Sequence, residues 1–156
     1  MCNLYRMTKA PAEIARLFGA RSAAGANFAA EAYPGYPGLV VADGETRVMT
    51  WGFPLILKGK NGQSLKPKPV NNAREDKLGT SFWRPSFERR RCLIPVTAWA
   101  EVHDRMPVVL ARENWEQWLA GTPAEAFALC QTCSSELAVD RTTERWGAGR
   151  PAATSG

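Results

Sequence analysis

One histidine stands in 156 residues, and the four cysteines (Cys2, Cys92, Cys130, Cys133) include a single close pair. A structural zinc site wants four ligands, so Cys130-Gln-Thr-Cys133 falls short of one, and no thioredoxin-like βαβ pattern surrounds it to suggest redox work. A disulfide framework is disfavoured too, because such frameworks belong to secreted chains. No run approaches the ~20 apolar residues of a membrane-crossing helix. No apolar stretch of the signal-peptide kind follows Met1-Cys2-Asn3-Leu4-Tyr5-Arg6, so a cytoplasmic location is expected. These shortages leave a chain expected to work without metal, cofactor or membrane, and as a monomer.

What is present is ordinary for a folded domain: 45% hydrophobic and 22% charged residues. A chain of this length buries roughly two-thirds of its unfolded surface, enough for a core of its own. One domain is expected over residues 1–146. The small and polar tail, 147–156, is expected to be disordered. The net charge of +5 is unevenly spread. Residues 58–91 hold ten bases against three acids, a net of +7, which leaves −2 for the remainder. A cationic tract on a near-neutral body is the footprint of a polyanion, most often nucleic acid, although a merely solvated surface has the same composition.

The pattern predicts an α+β fold. Pro11 opens a short helix over 11–18, with Ile14, Leu17 and Phe18 on one face and Gly19 as a stop. Leu39-Val40-Val41 and 46–53 flank Asp43-Gly44, the dipeptide of a two-residue hairpin turn. Residues 58–70 read as an exposed basic loop. Two apolar runs, Cys92–Val96 and Pro107–Leu110, read as strands of a buried sheet. Trp115, Trp118 and Leu119 share a helical face, and Thr122-Pro123-Ala124-Glu125 has the form of a capping box opening a helix through about Cys130. Leu137–Val139 reads as a last strand. Trp99, Trp115 and Trp118 sit among apolar residues and read as core, whereas Trp51, before Gly52-Phe53-Pro54, is the candidate base-stacking platform.

Cys2 is the position richest in chemistry. Removal of Met1 would leave one residue with a free α-amine and a free thiol, whose ordinary pKa values near 8 and 8.5 give each a nucleophilic fraction near neutrality. Such a 1,2-aminothiol condenses with an aldehyde to an imine, which the nearby thiol closes to a five-membered thiazolidine. The bland alternative is a cysteine of no consequence.

Six motifs occur in order: Met1-Cys2-x-x-Tyr5, Trp51-Gly52-Phe53-Pro54, Asn72-Ala73-Arg74, Arg91-Cys92-Leu93-Ile94-Pro95, Trp99-Ala100-Glu101 and His103-Asp104-Arg105-Met106-Pro107-Val108. Over about residues 1–120 the chain resembles the SOS response-associated peptidase family, the abasic-site processing proteins. The resemblance implies a partly closed, barrel-like antiparallel sheet with short flanking helices. It implies a partner, single-stranded DNA containing abasic sites, and a thiazolidine crosslink through Cys2 after self-removal of Met1. By the same resemblance Asn72 positions the nucleophile. Glu101 is the acid/base carboxylate, and His103 is the proton donor near the departing phosphate. Arg74 and Arg105 bind phosphate, a role that arginine forks suit. Lys66 and Lys68, from the basic tract, join Trp51 as expected DNA contacts.

The pattern also departs from the family. Between Glu101 and His103, where family members carry several further strands, this sequence carries only Val102. The remaining strands are therefore expected to expose edges and apolar faces. The family's glycine and arginine after the cysteine are Asn3 and Leu4, Pro34 replaces an asparagine, no tryptophan follows Pro54, and Asp76 stands for a glutamate. The rival to the crosslinking reading is a degenerate, non-catalytic single-stranded nucleic-acid binder. Cleavage of other proteins fits less well, since a terminal cysteine suits aldehyde capture better than peptide-bond attack.

Overall fold

Asp43 and Gly44 set the best-defined element. Both take positive φ, 51° and 70°, the conformation that a two-residue hairpin turn needs in order to match strand twist. They join β3 (Pro37–Ala42) to β4 (Glu45–Thr50), with Leu39 opposite Val48 and Ala42 opposite Glu45. The β-branched and aliphatic residues of β3 are buried on both faces. On β4, Thr46 is the one buried residue. The computed structural model describes residues 4–22, 25, 28–99, 106–131 and 137–138.

Two further antiparallel sheets surround this hairpin. β1 (Tyr5–Arg6) lies between β2 (Glu31–Ala32) and β7 (Ala98–Trp99), pairing Tyr5 with both Ala32 and Trp99. β5 (Phe53–Leu55) pairs with β6 (Lys68–Val70), which sets Pro54 directly opposite Pro69. Neither proline has an N–H to exchange, so this is a non-hydrogen-bonded pair and the missing donors face the two outer edges. The small sheet is thereby blunted against adding strands. The fold is a mixture of α and β with antiparallel sheets, and none closes into a barrel among the described residues.

Short helices seal the apolar faces. α1 (Pro11–Leu17) has its proline in the first turn and buries Ile14 and Ala15. α2 (Arg84–Arg89) precedes Arg91, whose guanidinium donates to the carbonyls of Phe87, Trp118 and Gly121. That arginine ties α2 to α3 (Trp115–Ala120) and is a structural member of the basic tract. α4 (Pro123–Ala128) opens with the expected capping box, in which Thr122 and Glu125 exchange both bonds. The core gathers Tyr5, Met7, Ile14, Ala32, Leu39, Val41 and Leu93, with Trp51, Trp99, Trp115 and Trp118 packed against it.

Several expectations need correction. The strand expected over 46–53 breaks after Thr50, because Gly52 at φ 128° turns the chain and hands Phe53–Leu55 to a different partner. The basic loop ends as a strand at Lys68–Val70, and a bridge between Lys58 and Ser64 closes its middle. Of Cys92–Val96 only Leu93 pairs, exchanging both backbone bonds with Val41 at 2.9 Å. Pro107–Leu110 forms no strand. Pro95 and Pro107 lack donors, and among the described residues no neighbouring strand reaches either run. The last helix stops at Ala128, and Leu137–Ala138 is not a strand. Val139 and the tail lie outside the described residues.

Candidate active site

A cavity of about 420 Å³ opens beside β1 and β7. Tyr5 of β1, Trp99 of β7, Asn71 and Asn72 after β6, Cys92–Val96 and Pro107–Leu110 line it, with Trp51, Trp115 and Trp118. Antiparallel pairing of Tyr5 with Trp99 puts the start of β1 and the end of β7 at the same end of that sheet.

Three tryptophans hold the walls by the same device. Each donates its indole N–H to a backbone carbonyl of a lining segment: Trp51 to Asn71 (3.0 Å), Trp115 to Leu110 (3.1 Å) and Trp118 to Cys92 (3.0 Å). A half-buried indole needs such a partner, and a carbonyl outside a ladder needs a donor. The Trp115 and Trp118 indoles thus stand in for sheet bonds along the two runs that form no strand. Trp115 and Trp118 pack as core, as expected. Trp51, the expected stacking platform, is half-buried with its ring 5.4 Å from that of Tyr5.

Asn72 lies on the cavity wall. Its neighbour Asn71, to which the sequence reading gave no role, has a buried Oδ1 without a hydrogen-bond partner among the described residues. That oxygen lies 3.3 Å from where a Cβ on Gly52 would stand. No motif or spacing signals it; adjacency to Asn72 was the sole clue. Arg74 is exposed and makes a two-pronged pair with Asp76, at 2.9 and 3.0 Å. A phosphate would have to compete with that carboxylate. Lys66 and Lys68 are exposed and have no ion pair among the described residues. Cys2, Glu101, His103 and Arg105 lie outside the described residues, as does Cys133.

The cysteines that are described are poor nucleophiles by environment. Burial raises the pKa of Cys92; burial, and then the charge of Glu75, raise that of Cys130. Both stay protonated near neutrality, the unreactive form of a thiol. No group of three His, Cys, Asp or Glu residues that could hold a metal occurs among the described residues, and no described helix is long and apolar enough to cross a membrane.

A model of the SOS response associated peptidase (SRAP) family matches residues 1–101 and 97–145. The chain belongs to that family. The two matched pieces meet at 97–101, beside the point where Val102 alone separates Glu101 from His103. No curated protein and no solved structure matches the chain. SRAP membership supports a general role in processing abasic sites in damaged DNA, and so a DNA partner.

Proposed function

We propose that this SRAP chain captures abasic sites in single-stranded DNA by forming a thiazolidine between Cys2 and the ring-opened sugar. The observation that supports it is the meeting of Asn72 with the start of β1 and the end of β7 around one cavity. Cys2 precedes Tyr5 by three residues and Glu101 follows Trp99 by two. With Met1 hydrolysed away, the Cys2 amine attacks the aldehyde carbon, and loss of water leaves an imine. The thiol sulfur then adds to that carbon while its proton passes to the nitrogen, so one aldehyde and one aminothiol give one ring and one water. Glu101 moves the protons of imine formation and serves the removal of Met1; Asn72 orients the amine. Where the imine instead loses a C2′ proton, the C3′–O bond breaks, a C2′=C3′ double bond forms, and His103 protonates the phosphate that departs on the 3′ side. Arg74, Arg105, Lys66 and Lys68 hold the strand by its phosphates.

Intact-mass measurement after mixing with an abasic oligonucleotide tests this directly. A covalent adduct that resists hydrolysis is expected from the parent and none from Cys2→Ala or from protein retaining Met1. An adduct from either variant overturns the aminothiol route. Glu101→Gln should slow the single-turnover rate by about 10²–10⁴-fold, the usual contribution of a general acid–base group. Should Glu101→Gln crosslink at the parental rate and His103→Ala cleave on the 3′ side of the lesion as the parent does, neither side chain is catalytic. The exposed lysines fit a second reading equally, a non-catalytic binder. That reading predicts salt-sensitive affinity and no adduct. In either case Lys66→Ala should make the log–log salt slope shallower by about 0.7, one phosphate's worth of released counterion.

A further inference from the structure

Trp51 and Gly52 together clasp the residue before Asn72. The Trp51 backbone is itself fixed at both ends, its N–H donating to the Tyr36 carbonyl (3.0 Å) and its carbonyl accepting from Gly35 (2.7 Å). Its ring packs on Tyr5, and its indole N–H reaches across to the Asn71 carbonyl. Gly52, at φ 128°, leaves open the space beside Asn71 Oδ1; a Cβ there would stand 3.3 Å from that oxygen and 3.6 Å from the Pro69 side chain. The main chain of Asn71 is thus held from the β4–β5 turn by Trp51, and Gly52 leaves room for its side chain. The ring lies against Tyr5 on one side and also lines the cavity.

We infer that Trp51 is a positioning residue: through the Asn71 carbonyl it sets where Asn72 stands in the cavity, and Gly52 is the space that the arrangement requires. The inference rests on Asn72 having the role proposed above. Trp51→Phe keeps a ring and removes the donor. With a labelled abasic oligonucleotide, its adduct rate at saturating DNA should fall about 3–10-fold, the loss of one ordinary hydrogen bond from the reacting geometry, while half-saturation stays at the parental concentration. Gly52→Ala adds a methyl group 3.3 Å from Asn71 Oδ1, at a φ that disfavours any side chain, and should give the same split. It serves as the test if Trp51→Phe does not fold. Thr122→Ala, far along the chain in the α4 cap, controls for lost stability and should leave the rate unchanged.

A second readout needs no chemistry. The Asn72 side-chain amide resonance in ¹⁵N-labelled protein should move in Trp51→Phe and Gly52→Ala and stay in Thr122→Ala. A moved resonance in protein whose parent forms no adduct would sink the crosslinking function and leave the positioning intact. A parental maximal rate with an unmoved resonance overturns the inference. Loss of affinity at an unchanged maximal rate would also overturn it, and would make Trp51 a base-stacking surface.

Discussion

β3 and the run from Leu93 to Val96 have nearly the same composition and opposite fates. Leu39 and Val41 are 0% and 2% exposed; Ile94 and Val96 are 47% and 41% exposed, and Val108 in the companion run is 46% exposed. The difference lies in partners. β3 finds β4 two residues away through a turn whose φ angles are encoded in Asp43-Gly44, so closing the loop costs little. The 93–96 run meets the hairpin at Leu93 alone, and Pro95 removes a donor it would need to continue. Apolar residues specify burial only where the chain also supplies something to cover them. The two matched pieces of the family meet at 97–101, beside the point where Val102 alone separates Glu101 from His103.

The sharpest way to break this contrast is a pair of truncations. Leu39→Ala should cost about 2–5 kcal/mol, as large-to-small changes in a closed core do. Ile94→Ala, half exposed already, should stay within about 0.5 kcal/mol, as exposed positions usually do. Urea midpoints at constant m-value report both. Equal losses would mean that the 93–96 run is covered in solution, by another copy of the chain or by residues outside the described ones.

Legibility followed the same divide. The α1 helix, the Asp43-Gly44 hairpin, the α3 face and the capping box before α4 could be read directly, because each is fixed by residues within about five positions of one another. The break at Gly52 could not, since a positive φ there looks like any glycine until Phe53 is seen to pair with Val70. Nor could the loss of strands at 94–96 and 107–110, where local propensity is right and a distant partner decides. Of the site, Asn72 was found through motif order; it lines the cavity that Tyr5 and Trp99 also line. Asn71 and the indole-to-carbonyl bonds depend on tertiary approach, which no spacing encodes.

A smaller effect concerns the α4 cap, which lines no part of the cavity. Thr122→Ala removes the side-chain acceptor of the α4 cap and should cost about 1 kcal/mol. Glu125 is held below the ordinary carboxylate range by its bonds from Thr122. A lowered folded pKa contributes stability that is present above the unfolded value and lost as pH falls through the folded one. The difference in stability between parent and Thr122→Ala should therefore narrow as the solution is acidified through the carboxylate range. A gap that holds constant across that range would detach Glu125 from the cap.

The subtlest expected effect concerns Cys92, the one thiol on the run that lacks its strand. Were 92–96 loose, its thiol would titrate in the ordinary range; burial against the core, with its carbonyl held by the Trp118 indole, raises its pKa instead. The folded protein then keeps a proton that the unfolded chain gives up above about pH 8.5, the ordinary thiol value. More protons bound in the folded state means that stability falls as pH rises. The loss should begin at the ordinary thiol pKa and level off above the raised one. Burial raises the pKa of Cys130 as well, with Glu75 adding to it, so the slope belongs to the pair, and Cys92→Ala should remove only the Cys92 share. Alkylation separates them, because the thiolate is the reacting form. In native protein, mass mapping after iodoacetamide at neutral pH should find Cys92 spared, with labelling rising only above the ordinary thiol range. Rapid labelling of Cys92 at neutral pH would show that the segment opens, and the contrast with β3 would then be one of motion as well as pairing.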